Sequence, residues 1–177
     1  LSLLAAEPVT LKIGSIAPRE SPWGQVLRVW TKAVKEKTHG EVALEIYWNG
    51  TQGDEAAQVG KVKTGQLDGA CVTATGLGAL VNDINALQMP GLFEDWASFD
   101  KAREAVRPGF EKALEEKGVT LVGWGDVGLD HLMAHGKPVR APADVKGRTP
   151  WVWREDPILP AVFQAVGGVA IGAVLTV

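Results

Sequence analysis

The sequence predicts an α/β fold: two lobes with mostly parallel sheets covered by helices, the second lobe incomplete. Three observations carry this reading. In the first 70 or so residues, runs with the two-residue period of a strand alternate with runs of helical period. Clusters of Gly, Pro, Asn and Asp punctuate the runs. The chain has 177 residues, 46% hydrophobic and 22% charged, enough for one domain or two small ones.

"VTLKIGS" places Val9, Leu11 and Ile13 on one strand face, and "APRESPWG" is a loop. Ser21 before Pro22 starts a helix, with a hydroxyl cap and a proline at the first helical position. Trp23, Val26, Leu27, Trp30 and Val34 form its apolar stripe, with Arg28, Lys32 and Lys35 outside, and His39-Gly40 stops it. "EVALEIYW" is a second strand with Val42, Leu44 and Ile46 inward, and "NGTQG" turns. "DEAAQVGKVKTG" is a helix capped by Asp54, and "QLDGACVTAT" gives a turn and a buried strand. The result is β-α-β-α-β, the pattern of a parallel sheet.

Beyond it the spacing predicts a short helix at 77–82 and an irregular apolar segment to Pro90. A long helix follows, with Phe99, Ala102 and Val106 inward, kinked or broken at Pro108. Phe110, Ala113 and Leu114 resume its stripe. "VTLVGW" reads as a strand, "LDHLMAH" as extended, and 142–145 as one helical turn. "TPWVW" is a strand, a helix starts at Asp156-Pro157, and "VAIGAVLTV" is an apolar strand-like run that wants a partner. The boundary falls near residue 130: 7–129 is the first α/β lobe, and 130–177 starts another.

The net charge of -3, with signs interspersed, lacks the basic footprint of a nucleic-acid binder. The single Cys71 closes no intramolecular disulfide and excludes a cysteine zinc cluster. Seven tryptophans supply large flat apolar area for a core or a cleft. No run of 18 apolar residues spans a membrane. "LSLLAA" reads as the tail of a secretory leader cut near Ala6, against a frayed terminus or cloning remnant.

Catalytic signatures are sparse. His131 and His135 have the spacing of two ligands on a helix, but Gly136 and Pro138 disfavour a helix, and on a strand they stand about 13 Å apart. There is neither a nucleophile elbow nor a P-loop. "GWGDVG", Gly123 to Gly128, matches a dinucleotide fingerprint after a strand, which admits a nucleotide-dependent oxidoreductase as an alternative. The eight residues to Gly136 are too short for its helix. No catalytic residue, cofactor or metal is expected.

The motif order resembles the solute-receptor subunit of the tripartite ATP-independent periplasmic (TRAP) transporters, the DctP type. The matching pieces are "LKIGSIAPRESPWGQVL", "GEVALEIYWNGTQGDEAAQVGKVKTGQLDGACVTATGLG", "ALQMPGLFED" and "GVTLVGWGDVGLDHLMAHGKPVRAPADVKG", within residues 8–168. The resemblance implies a periplasmic-binding-protein-like fold closing on a small solute, a non-enzymatic role, and delivery to TRAP membrane subunits. It implies export to the periplasm through a signal peptide. A sensor or partner-docking subunit of the same fold is the other alternative. Such receptors are longer than this chain, which reads as a piece of one or a short variant.

Two departures from the family set the expected site. The arginine four residues after "D-(L/V)-K-G", which grips a solute carboxylate, is here Trp151. The arginine of "G-x-R-H" is here Asp130 in "GLDH". Trp151 and Trp153 share a strand face, lining either a pocket or the core. Asp130 either faces a cationic or hydroxyl-bearing solute or is simply solvated. Trp23, after the first strand, and Thr75, at the end of "CVTAT", complete the ligand-binding set, against readings as a core ring and a loop hydroxyl. Arg148 and Arg154 are the substitutes if a clamp persists. The ligand class expected is aromatic, apolar or cationic.

Overall fold

The computed structural model describes residues 7–173. The leader-like "LSLLAA" and the last four residues of the terminal apolar run lie outside them. Two compact units divide between Gly76 and Leu77. The lobe boundary expected after residue 129 falls inside the second unit.

The first unit is the parallel sheet the alternation predicts. Strand β1 (Val9–Ser15) pairs with β2 (Val42–Tyr47) and with β3 (Gly69–Cys71), in the order β2-β1-β3. The register sets Ile13 beside Ile46 and Ser15 beside Cys71. Helix α1 (Pro22–Lys37) joins β1 to β2, and α2 (Glu55–Lys63) joins β2 to β3. Both start where the sequence places them. Ser21 Oγ accepts from the Gly24 N–H at 3.0 Å, and Asp54 accepts from the Ala57 N–H at 2.8 Å. His39 and Asn49 take positive φ in the turns after α1 and β2. Ile13, Leu27, Leu44, Val59 and Leu67 are buried.

Two expectations for this unit fail. Val26 is exposed, and Trp23 and Trp30 are half-buried flanks of a face centred on Gly24 and Leu27. The rotation follows from Gly24, because a Cβ there would strike the carbonyl oxygens of Pro18 and Arg19. Lacking one, the helix backs onto that loop. Val9, which pairs with Val42 at the start of β1 but lies beyond the reach of β3, is also exposed.

In the second unit, α3 (Ala74–Gly78) bridges the division, followed by a 3-10 stretch over Asn82–Gln88, in place of a helix at 77–82. Helix α4 (Trp96–Glu115) opens with a reciprocal cap between Asp95 and Ser98. It runs through Pro108 unbroken, with Val106 exposed. Pro108 is itself exposed, so water can satisfy the carbonyl its missing N–H abandons. Arg107 Nε donates to Glu111 at 2.6 Å across that turn. Phe93 and Trp96 both meet Phe99 edge-on, at 5.2 and 5.8 Å between centroids.

Residues 119–134 carry no regular structure, so the strand expected at 119–124 is absent and Val122, Val127, Leu129 and Met133 are exposed. A single helical turn at Pro142–Val145 leads to β4 (Trp151–Trp153), α5 (Leu159–Ala165) and β5 (Ile171–Ala173), which pairs parallel with β4. Asp156 starts α5 by accepting from the Ile158 and Leu159 N–H groups. Val145, Val152 and Phe163 form the small core beneath β4. Among the described residues, no helix is long and apolar enough to cross a membrane.

Candidate functional site

In an open α/β sheet, ligands sit outside the carboxyl ends of the strands, where the strand order reverses. Here that point is β1, since the chain moves from it to β2 on one side and then to β3 on the other. Ser15 ends β1 fully buried and accepts the Ala17 N–H at 3.1 Å. Trp23 follows in the first turn of α1, half-buried. Thr75 does not end a strand, because β3 stops at Cys71; it lies buried in α3. Trp23 and Thr75 thus lie on the two segments that leave neighbouring parallel strands.

The dominant group at this end is one the sequence reading passed over. Glu55 opens α2 and is only 6% exposed. Its Oε1 accepts from the Thr73 N–H at 2.8 Å. Its Oε2 accepts from the Thr73 hydroxyl at 2.7 Å and from the Gly76 N–H at 3.0 Å. Burial raises this carboxyl above its ordinary range, and the bonds from Thr73 and Gly76 pull it back. One turn on, Gln58 is fully buried. Its Nε2 donates to the Gly53 carbonyl at 2.8 Å, while Oε1 has no hydrogen-bond partner among the described residues. A signal for both was present: Glu55, Gln58 and Val59 share the inner stripe of α2, where acid and amide are out of place without partners.

In the second unit, β4 alternates as the sequence requires. Val152 points into the core at 2% exposure, and Trp151 and Trp153 take the other face, Trp151 at 51% and Trp153 half-buried. Trp151 pairs in register with Ile171, itself exposed, so the face carries an indole beside an aliphatic side chain. Arg148 donates from Nη1 to the Lys137 carbonyl at 2.8 Å, and Arg154 is exposed with no ion pair among the described residues. Asp130 lies exposed in the irregular 119–134 stretch, without a hydrogen bond or ion pair among the described residues. His131 and His135 are exposed nearby on non-helical backbone.

The Gly123–Gly128 run does not form a dinucleotide site. No helix follows it, and a Cβ at Gly123, Gly125 or Gly128 would meet open space, so nothing there calls for close backbone approach.

Comparison with known proteins agrees with this architecture. Residues 13–173 match the family described as bacterial extracellular solute-binding protein, family 7. A solute-binding protein of Chromohalobacter salexigens is 30% identical over 134 residues, covering 75% of this chain and 40% of that protein. A TRAP periplasmic solute-binding protein of the same species, solved with bound D-glucuronate, superposes with a TM-score of 0.85 at 27% identity, covering 93% of this chain and 55% of that one. Another from Desulfovibrio salexigens, solved with bound orotic acid, gives a TM-score of 0.78 at 25% identity, covering 93% and 53%. The chain spans less than half the length of the curated relatives it matches.

Proposed function

Since the chain belongs to family 7 of the bacterial extracellular solute-binding proteins, we propose that it captures an aromatic, apolar or cationic small molecule outside the cytoplasmic membrane and passes it to TRAP membrane subunits. Trp151, Trp153, Asp130, Thr75 and Trp23 contact the solute. No bond is made or broken; solute shifts the balance toward a closed form.

The observation that supports this most is the exposed Trp151 on β4, at the position to which the sequence resemblance assigns the family's carboxylate-gripping arginine. Indole faces hold flat rings by stacking and cations through the quadrupole, on the order of 0.5–2 kcal/mol each. Arg148, the nearest substitute, is engaged by a backbone carbonyl. D-glucuronate and orotic acid, bound by the two structural relatives, are both carboxylates, and orotic acid adds a flat ring. The flat ring is the part carried over in this proposal, and Trp151 is the residue that would hold it. An unpaired Asp130 favours a cationic or hydroxyl-bearing solute over an anionic one.

Intrinsic tryptophan fluorescence tests the reading. A saturable change on adding a ring-bearing solute, lost in Trp151→Ala and without turnover, is the expected result. Unchanged affinity in that variant refutes the stacking role given to Trp151.

A further inference from the structure

We propose that the turn leaving β3 is a carboxylate seat whose resident occupant is Glu55. Three donors converge there from residues 18 and 21 positions further along the chain: the Thr73 N–H, the Thr73 hydroxyl and the Gly76 N–H, at 2.8, 2.7 and 3.0 Å. Both carboxylate oxygens are engaged, as when a protein binds a free carboxylic acid. The seat is shaped as well as charged. A Cβ on Gly76 would lie 2.7 Å from Val72 Cβ and 3.0 Å from both Glu55 Cβ and Oε2, so only glycine leaves room for the occupant. The Thr73 hydroxyl is oriented by a second bond, since its oxygen also accepts from the Thr75 N–H at 3.3 Å. Glu55 is 6% exposed, so the occupant is sealed in.

One consequence concerns the solute. A seat already filled by the protein's own anion offers no donors to a second carboxylate and repels it. This end of the first unit therefore receives the neutral or hydroxylated part of the solute. That consequence rests on the solute-receptor reading; the seat itself does not.

Emptying the seat tests it without any solute. Glu55→Ala keeps all three donors and removes the occupant. Thermal unfolding of the full chain is compared at neutral pH in sodium chloride, formate and acetate of equal ionic strength. The variant is expected to melt lower than the parent in chloride. Formate should raise its Tm by about 2–4 °C over chloride, while the parent and Glu55→Gln, whose seats are filled, show no such difference. Identical Tm values for the variant in all three salts, or an equal rise in the parent, overturn the proposal. Should Glu55→Ala not fold, Glu55→Ser carries the test. Its short neutral side chain leaves the seat open without an anion, and the same formate-specific rise is expected, its absence being refutation.

Discussion

Arg148 donates from Nη1 to the carbonyl oxygen of Lys137 at 2.8 Å, across eleven residues of chain. The contact fastens this guanidinium, three positions before Trp151, to the backbone at Lys137. A side chain so held serves the 137–148 turn, where Asp144 also accepts from the Arg140 and Ala141 N–H groups at 2.9 Å each.

Arg148→Met should therefore lower stability while leaving solute affinity within about threefold. Hydrogen bonds from charged groups contribute roughly 1.5–3 kcal/mol when well made, and partial exposure places this one at the low end. Urea unfolding paired with a binding titration separates the two effects. A large affinity loss at unchanged stability would return Arg148 to the role of clamp.

Neighbours on β4 should respond in opposite ways. Val152 is 2% exposed within the Val145–Phe163 cluster, whereas Trp151 is half in solvent. Val152→Ala should cost about 1.5–3 kcal/mol of stability with solute binding retained by the folded fraction. Trp151→Ala should change stability by under about 1 kcal/mol and lower solute affinity about threefold to thirtyfold, the equivalent of one stacked ring. Denaturant melts of the two variants, run beside binding titrations, check the split.

The raised carboxyl of Glu55 has a definite sign in the stability curve. Desolvation is the largest cause, the hydrogen bonds from Thr73 and Gly76 oppose it, and Asp54 adds to it. The folded form holds this proton more tightly than the unfolded one. The contribution is thus complete below the ordinary value of 4.5 and is lost as pH rises through the folded value. Subtracting the stability–pH curve of Glu55→Gln from that of the parent should leave a component that falls as pH rises above 4.5. A flat difference contradicts the burial argument.

Cys71, at the end of β3, should be unreactive. Burial pushes its thiol up to about 11, so almost no thiolate exists at neutral pH. Alkylation by iodoacetamide at pH 8 should proceed far more slowly in the native protein than in urea. Equal rates would place the thiol in solvent.

Much of the fold was legible because local signals agreed with one another. Ser21-Pro22, Asp54 and the alternation of β1 and β2 each point to the element observed, and the three-stranded parallel sheet follows from them. The errors share a cause: long-range context the pattern does not carry. Gly24 turned α1 by approaching the Pro18–Arg19 carbonyls, which a count of apolar residues does not register. "VTLVGW" has strand composition but no ladder partner among the described residues. The β4 face was legible down to its alternation, since Val152 fixes which side is the core. The Glu55 seat was not, because its donors lie 18 and 21 residues away and only the sheet brings them together.

The proposed solute preference turns on what Trp151 touches. Mass spectrometry of the small molecule that co-purifies with the protein, followed by calorimetric titration of that molecule into the parent and Trp151→Ala, addresses this most directly. The expected result is an aromatic, apolar or cationic compound bound severalfold to thirtyfold more weakly by the variant. An acyclic carboxylic acid bound equally by both proteins would contradict it.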